Sequence, residues 1–286
     1  MIQTSQKIVK IRIPEDKKVA VVLSVIFSGS TIWTGPKGEV SQFSISRGEH
    51  DAFVCVPRVL EALKKRGIRG TFFIPGHTAD TFPEVCREII ADGHEIGHHG
   101  YMLTELDSMT PEEEENAFQK ALDSLQRLGV SPVGFRAPNE ISAHTLDILE
   151  KYGFLYDSSL MGDDIHAYYP RPITLHTDTG CEYGEAKNLL EIPVSFHQDD
   201  HPYLDTMGSD YALPYFDCSP PQEFSDRCKD IFDYASRSEG CILNITIHTA
   251  ATGNRPRMDA FEELLDSLAE KGACFMTCRE LVDAAI

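Results

Sequence analysis

The sequence predicts an α/β fold, a barrel or a doubly wound sheet, and three observations predict it. Residues 19–27 (VAVVLSVIF) form an almost continuous apolar, β-branched run, the pattern of a strand buried on both faces beneath helices. Strand-like and helix-like segments then alternate to the end of the 286 residues, as repeated β–α units require. No linker, repeat or change of composition divides the chain, so residues 1–286 read as one domain with residues 1–18 as an N-terminal arm.

After the first strand, the polar, Gly- and Ser-containing stretch 34–51 reads as a loop beyond the strand's C-terminal end. Val56, Val59, Leu60 and Leu63 then mark a helix, with Pro57 in its first turn and Gly67 past its end. Residues 70–74 follow as a strand, 82–91 as a helix and 92–110 as mostly loop. Thr110-Pro111-Glu112-Glu113 is a capping box with proline at the first helical position, and Phe118, Leu122, Leu125 and Leu128 keep the helical period. Further strands are expected at 133–136, 189–194, 241–247 and 273–276, and helices at 143–152, 221–235 and 258–271. Residues 167–187, polar with Pro and Gly, read as an excursion from the core.

Composition excludes several classes of function. With 42% hydrophobic and 25% charged residues the chain has enough apolar matter for a core, which excludes disorder. A net charge of −19 opposes binding to nucleic acid or to an anionic membrane surface. The eight cysteines show no C-x-x-C spacing and read as reduced thiols. There is no secretion signal at the N-terminus and no apolar run near twenty residues, so a cytoplasmic location is expected.

Three places could carry chemistry. In Gly93-His94-Glu95-Ile96-Gly97-His98-His99-Gly100-Tyr101, imidazoles four apart such as His94 and His98 could face one cation on a helix. The three glycines oppose a helix there, and the alternative is a segment whose histidines only form hydrogen bonds. His248, where the 241–247 strand runs into a loop, stands where α/β barrels collect their active-site groups, or else is a core histidine with a backbone partner. Arg136 also ends a strand; it cannot shed its charge, so it meets either a carboxylate or a ligand.

Together these stretches resemble the polysaccharide deacetylase family, also called nodulation-deacetylase homologues or carbohydrate esterase family four. The resemblance rests on Ser46-Arg47-Gly48-Glu49, Gly70-Thr71-Phe72-Phe73 with Pro75-Gly76-His77, residues 93–101, Phe135-Arg136-Ala137-Pro138, Tyr156-Asp157-Ser158-Ser159, Glu191-Ile192-Pro193-Val194 and Ile247-His248. It is closer to the intracellular branch, with its peptidoglycan-deacetylase-like proteins, cyclic imidases and metal-free allantoinases. The resemblance implies a distorted (β/α) barrel with fewer than eight regular strands and an active site at the strands' C-terminal ends. It also implies a homo-oligomer, a dimer or tetramer. Usual members bind one divalent metal through an aspartate and two histidines, use a neighbouring aspartate as base, and protonate the leaving nitrogen with a histidine. On this chain His248 falls on that last histidine, and Arg136 on the arginine that orients the base.

The metal motifs diverge. Ile26 and Ser28 stand where the family has Asp-x-Asp, and the histidine pair begins at His99 but ends on Leu103. His94 and His98 precede that pair and are not its ligands. Neither a hydroxyl nor a hydrocarbon replaces these ligands for a divalent ion, so no cofactor is expected, and one divalent metal only if other groups take their place. Three readings follow. In the first, His248, Arg136, Glu49 and His99 act as catalytic groups in metal-independent hydrolysis of a carbon–nitrogen bond in a small cyclic imide, ureide or amide, with Ser28, His77, Asp163 and Asp164 binding substrate. In the second, the protein is an inactive ligand-binding or scaffold homologue. In the third, Glu49, Asp51, His98, Asp163 or Asp164 rebuild a metal site. Residues 167–176 and 196–201 are expected to line or cover the pocket.

Overall fold

The computed structural model describes residues 7–35, 38, 41–204 and 219–286. Cys218 lies outside the described residues. Ten strands form one mixed sheet: β1 (Ile8–Val9), β2 (Val19–Ile26), β3 (Thr71–Ile74), β4 (Glu95–His98), β5 (Gly134–Phe135), β6 (Tyr156–Asp157), β7 (Ala167–Tyr168), β10 (Leu190–Glu191), β11 (Ile242–His248) and β12 (Ala273–Met276). The order is β1-β7-β10-β6-β5-β4-β3-β2-β11, with β12 also paired to β2. From β11 to β10 all pairings are parallel, while β7 and β1 close the far edge antiparallel. The sheet curls with helices around it into the distorted, partly open (β/α) barrel that the sequence resemblance implied. β8 (Ile173–His176) and β9 (Gly180–Tyr183) make a separate exposed hairpin.

β2 explains why its sequence is apolar without alternation. Val19, Val21, Leu23, Val25 and Phe27 pack in the layer between sheet and helices, and Ala20, Val22 and Ile26 pack in the barrel interior. Both faces are buried, so period-two patterning would place a polar side chain in a core. The exception is Ser24, which points inward and donates to Asn244 Oδ1 at 2.7 Å. It belongs to a polar layer inside the barrel with Asn244, Thr246, Ser158 and Arg136.

The helix at Pro111–Gln126 has both halves of its capping box. The Val56–Lys65 helix starts with Pro57 and is followed by Gly67 at φ +64°. One expectation is corrected. The stretch 34–51 is not all loop: Gln42–His50 is a helix, capped by Ser41 accepting from Ser44 N, and it runs through a π-helical turn, Asp51–Cys55, into the next helix. Residues 92–110 are mostly loop as expected, but the short strand within them, Glu95–His98, is β4, central in the sheet. Glycines that weaken a helix leave a strand possible, and Gly97 has a reason to be there: a Cβ would come 2.4 Å from the Phe73 ring. Part of the 167–187 excursion, β7, belongs to the main sheet. Among the described residues no helix is long and apolar enough to cross a membrane.

Candidate active site

The C-terminal ends of β5, β4, β2 and β11, with β3 between β4 and β2, lie at one end of the sheet and deliver Arg136, His99, Ser28 and His248. His248 is held by Asp200: the backbone N–H donates to both carboxylate oxygens at 3.0 Å, and Nδ1 lies 2.8 Å from Oδ1. Thr252 Oγ1 donates to Asp200 Oδ2 at 2.6 Å. Asp200 is fully buried, so this set of donors compensates a charge that would otherwise be costly. Asp199 Oδ1 stands 3.6 Å from His248 Nδ1 and accepts from His201 N, and the His201 ring lies 5.2 Å from the His248 ring. Asp199 reaches the site through a parallel bridge to Thr246 of β11.

His99 is buried, and its Nδ1 donates to the Arg136 carbonyl at 2.9 Å. Burial pushes its pKa down to about 3; the Arg136 carbonyl raises it, and the charges of Arg136 and His248 lower it further. It is therefore neutral, with the proton on Nδ1 and a lone pair on Nε2. Arg136 lies below, in the barrel interior, donating to Thr246 Oγ1 at 3.2 Å and Ser158 Oγ at 2.8 Å. Burial lowers its pKa and Cys278, Asp199, Asp157 and Glu191 raise it, but a guanidinium keeps its charge.

The structure does not bring every proposed residue here. Glu49 is exposed on the Gln42–His50 helix. His77, half-buried in the helix Gly76–Thr81, packs edge-on against Tyr101 at 6.0 Å. Asp163 caps a turn, accepting from the backbone N–H groups of Asp164, Ile165 and His166. Together with exposed Asp164 it borders a shallow cavity of about 450 Å³ with Phe196 and His197. His98 is spent on structure: Nε2 donates to Phe118 O at 3.0 Å and Nδ1 accepts from Gly100 N. His94 Nδ1 accepts from Gly70 N, so the spacing of the two histidines is that of a strand and not of a ligand pair. Of the expected covering segments, 196–201 reaches the site and the hairpin in 167–187 pairs with itself. Asp199 and Asp200 were missed as site residues; two adjacent acids after the Glu191-Ile192-Pro193-Val194 stretch were the available signal.

A sequence profile described as polysaccharide deacetylase matches residues 51–156. A peptidoglycan deacetylase of Helicobacter pylori is 30% identical over 283 residues, covering 93% of this chain and 96% of its own. The chain belongs to the polysaccharide deacetylase family. Among solved structures, a Mycobacterium smegmatis protein provisionally described as a polysaccharide deacetylase superposes with a TM-score of 0.83 at 27% identity, covering 97% of this chain and 93% of its own. PuuE allantoinase shares the deacetylase fold at a TM-score of 0.77 and 21% identity, over 95% of this chain and 91% of its own.

Membership in this family of hydrolytic, typically metal-dependent enzymes corrects the expectation that no cofactor is needed, and so does a cluster the sequence reading did not find. Asp199, Asp200 and His248 offer three ligand atoms that lie within 4.8 Å of one another. The usual family position does not fit an ion: Ser28 is a neutral hydroxyl, and Leu103 is a buried hydrocarbon on a backbone at φ +54°. The Asp-Asp-His set does fit. Its oxygen and nitrogen donors suit a divalent zinc, manganese or iron ion. Burial raises the Asp199 pKa, His248 lowers it and Asp200 raises it again, a crowding of acids that a cation relieves. Proton and ion compete at His248 Nδ1, because the proton given to Asp200 occupies the lone pair a metal would use. Asp199→Ala is expected to reduce bound divalent metal from about one ion per chain to near zero by elemental mass spectrometry. An unchanged metal content in the variant would place the ion elsewhere.

Proposed function

We propose that this deacetylase-family chain hydrolyses a carbon–nitrogen bond in a small cyclic imide, ureide or amide. The observation that carries the reading is the Asp200–His248 pair placed beside the neutral His99 imidazole at the ends of parallel strands. Enclosure supports a small substrate: Ser28, Leu103, His99 and Arg136 are each less than 10% exposed, which suits a ring-sized molecule better than an extended glycan.

Asp200 accepts the hydrogen bond from His248 Nδ1–H and so assigns proton exchange with the departing nitrogen to Nε2. His99 spends its Nδ1 proton on the Arg136 carbonyl and offers Nε2 as an acceptor for water or a substrate N–H. The buried Arg136 charge favours negative charge developing on the carbonyl oxygen above it. A divalent ion held by Asp199, Asp200 and His248 would supply Lewis acidity and a more acidic bound water, and would do so in place of the His248 Nδ1–H bond to Asp200, in a state where His248 is a ligand and not the acid.

The test is ring opening of a panel of cyclic imides and ureides, with zinc or manganese supplied. Turnover is expected, and His248→Ala is expected to lower kcat/KM by about 10²–10⁴-fold. Absence of turnover across the panel, with one compound still raising the melting temperature, would overturn the proposal in favour of an inactive ligand-binding homologue, the reading that the altered positions Ile26, Ser28 and Leu103 favour.

A further inference from the structure

We propose that Asp51 is the proton-accepting group of this site, a carboxylate delivered from the π-helical turn to make up for the acids absent at Ile26 and Ser28. The inference rests on the hydrolytic reading above and adds to it a residue outside the family's strand-end motif. Asp51 is 1% exposed. Its Oδ2 accepts from Gly29 N at 3.0 Å, which fixes the carboxyl against the end of β2 immediately after Ser28. Thr249, the residue after His248, stands beside this carboxyl, and its Oγ1 donates to Ile26 O at 3.2 Å. Asp51 therefore sits between the end of β2 and the end of β11.

Two buried polar atoms of this region have no hydrogen-bond partner, Asp51 Oδ1 and Ser28 Oγ, the latter in the residue before the Gly29 N–H that Asp51 holds. Orphaned buried acceptors are rare in folded proteins and call for a ligand or a bound water. The backbone supports the placement. A π-helical turn widens the helix by one residue, a device frequent at functional sites, and here it begins at Asp51 itself. Gly48, in the preceding turn, lies so close to Ser30 that a Cβ would come within 2.5 Å of Ser30 N, which holds the helix tight against the strand end.

In the step assigned to it, Asp51 Oδ1 takes a proton from water as the water oxygen bonds to the substrate carbonyl carbon. The carbon–nitrogen bond then breaks, its electron pair stays on nitrogen, and nitrogen receives a proton from His248. Return of the Asp51 proton to His248 restores the site, so one water is consumed and no redox partner is needed.

Burial raises the Asp51 pKa to about 7, against the pull of Thr249, Gly29 and His248. The titratable groups around it are His248 on β11, His50 and Cys55 on its own helical stretch, and Arg58 and Arg257 beside Cys55. The folded pKa lies above the unfolded value, so the folded state binds the extra proton. Asp51 then costs stability progressively as pH rises from about 4 to about 7, and the cost persists above that.

The test is Asp51→Asn, which keeps an acceptor for Gly29 N and cannot take a proton. Turnover is expected to fall at least a hundredfold, with loss of the acidic limb of the kcat/KM profile. The melting temperature of the variant relative to wild type is expected to rise by about 5 °C or more between pH 5 and pH 8. A variant that keeps activity within threefold, or one whose relative stability falls between those pH values, would overturn the proposal. If wild type, His248→Ala and Asp51→Asn are alike inactive, the hydrolytic reading fails and this role fails with it. If His248→Ala loses activity and Asp51→Asn does not, Asp51 alone is refuted.

Discussion

Asp200→Asn is expected to lower kcat/KM by about 10³–10⁴-fold while leaving the protein folded, the scale seen when a carboxylate that orients a catalytic histidine becomes an amide. Asp200 accepts from His248 N, His248 Nδ1 and Thr252 Oγ1 at once. An Asn oxygen can keep part of this set, but its NH₂ must face a donor, either turning the imidazole or forcing its proton to Nε2. Lost hydrogen bonding is expected to cost about 1–3 kcal/mol of stability. The double variant Asp200→Asn with His248→Ala should be scarcely worse than His248→Ala alone, because residues acting as a unit are not additive. Additive losses in kcat/KM would mean that Asp200 acts on something other than His248.

The difference between Asp200 and Glu49 shows what the sequence could reveal about this site. Strand ends were legible: a β-branched run fixes where β2 and β11 stop, which places Ser28 and His248, and the short strand expected at 133–136 places Arg136 at the end of β5. What arrives between strand ends was not. Asp199 and Asp200 come from an irregular segment bridged to β11, and no periodicity encodes that bridge. Glu49 and Asp51 are two residues apart on a stretch that reads as loop, and only once it is helical do they fall on opposite sides, one facing solvent and the other entering the core. In the same way, the run of histidines at 94–99 invited a ligand reading because glycine spacing opposes a helix without announcing a strand. Once β4 is in place, His98 stacks on Phe118 at a ring separation of 4.2 Å with both nitrogens satisfied, and His99 alone turns to the site. The family likeness supplied the barrel, while the altered positions are those for which likeness says least.

Arg136→Met is expected to cost about 3–5 kcal/mol of stability, the scale for stripping a partner from a buried charge. The negative side is the pair Asp157 and Glu191, opposite each other in register on β6 and β10. Asp157 Oδ2 and Glu191 Oε2 are buried with no other partner, which a shared proton explains. Burial, together with the Asp157 charge, raises Glu191 well above its ordinary range, so Glu191 holds the proton and the pair carries one negative charge opposite one guanidinium. Burial raises the Asp157 pKa to about 6, while Ser159, Glu191, Ser158 and Arg136 lower it. Removing Arg136 takes away part of that lowering, so in the variant Asp157 protonates more readily as pH falls. The stability deficit in urea unfolding should therefore be largest near pH 8 and shrink toward pH 5, and Asp157→Asn added to Arg136→Met should recover about 1–3 kcal/mol at the higher pH. Glu191→Gln alone should be nearly neutral, since an amide still donates to Asp157 and its oxygen can still accept from Ser159 N and Leu160 N. A deficit that does not change with pH would mean that Arg136 stabilises the barrel by filling space against Phe73 and not through its charge.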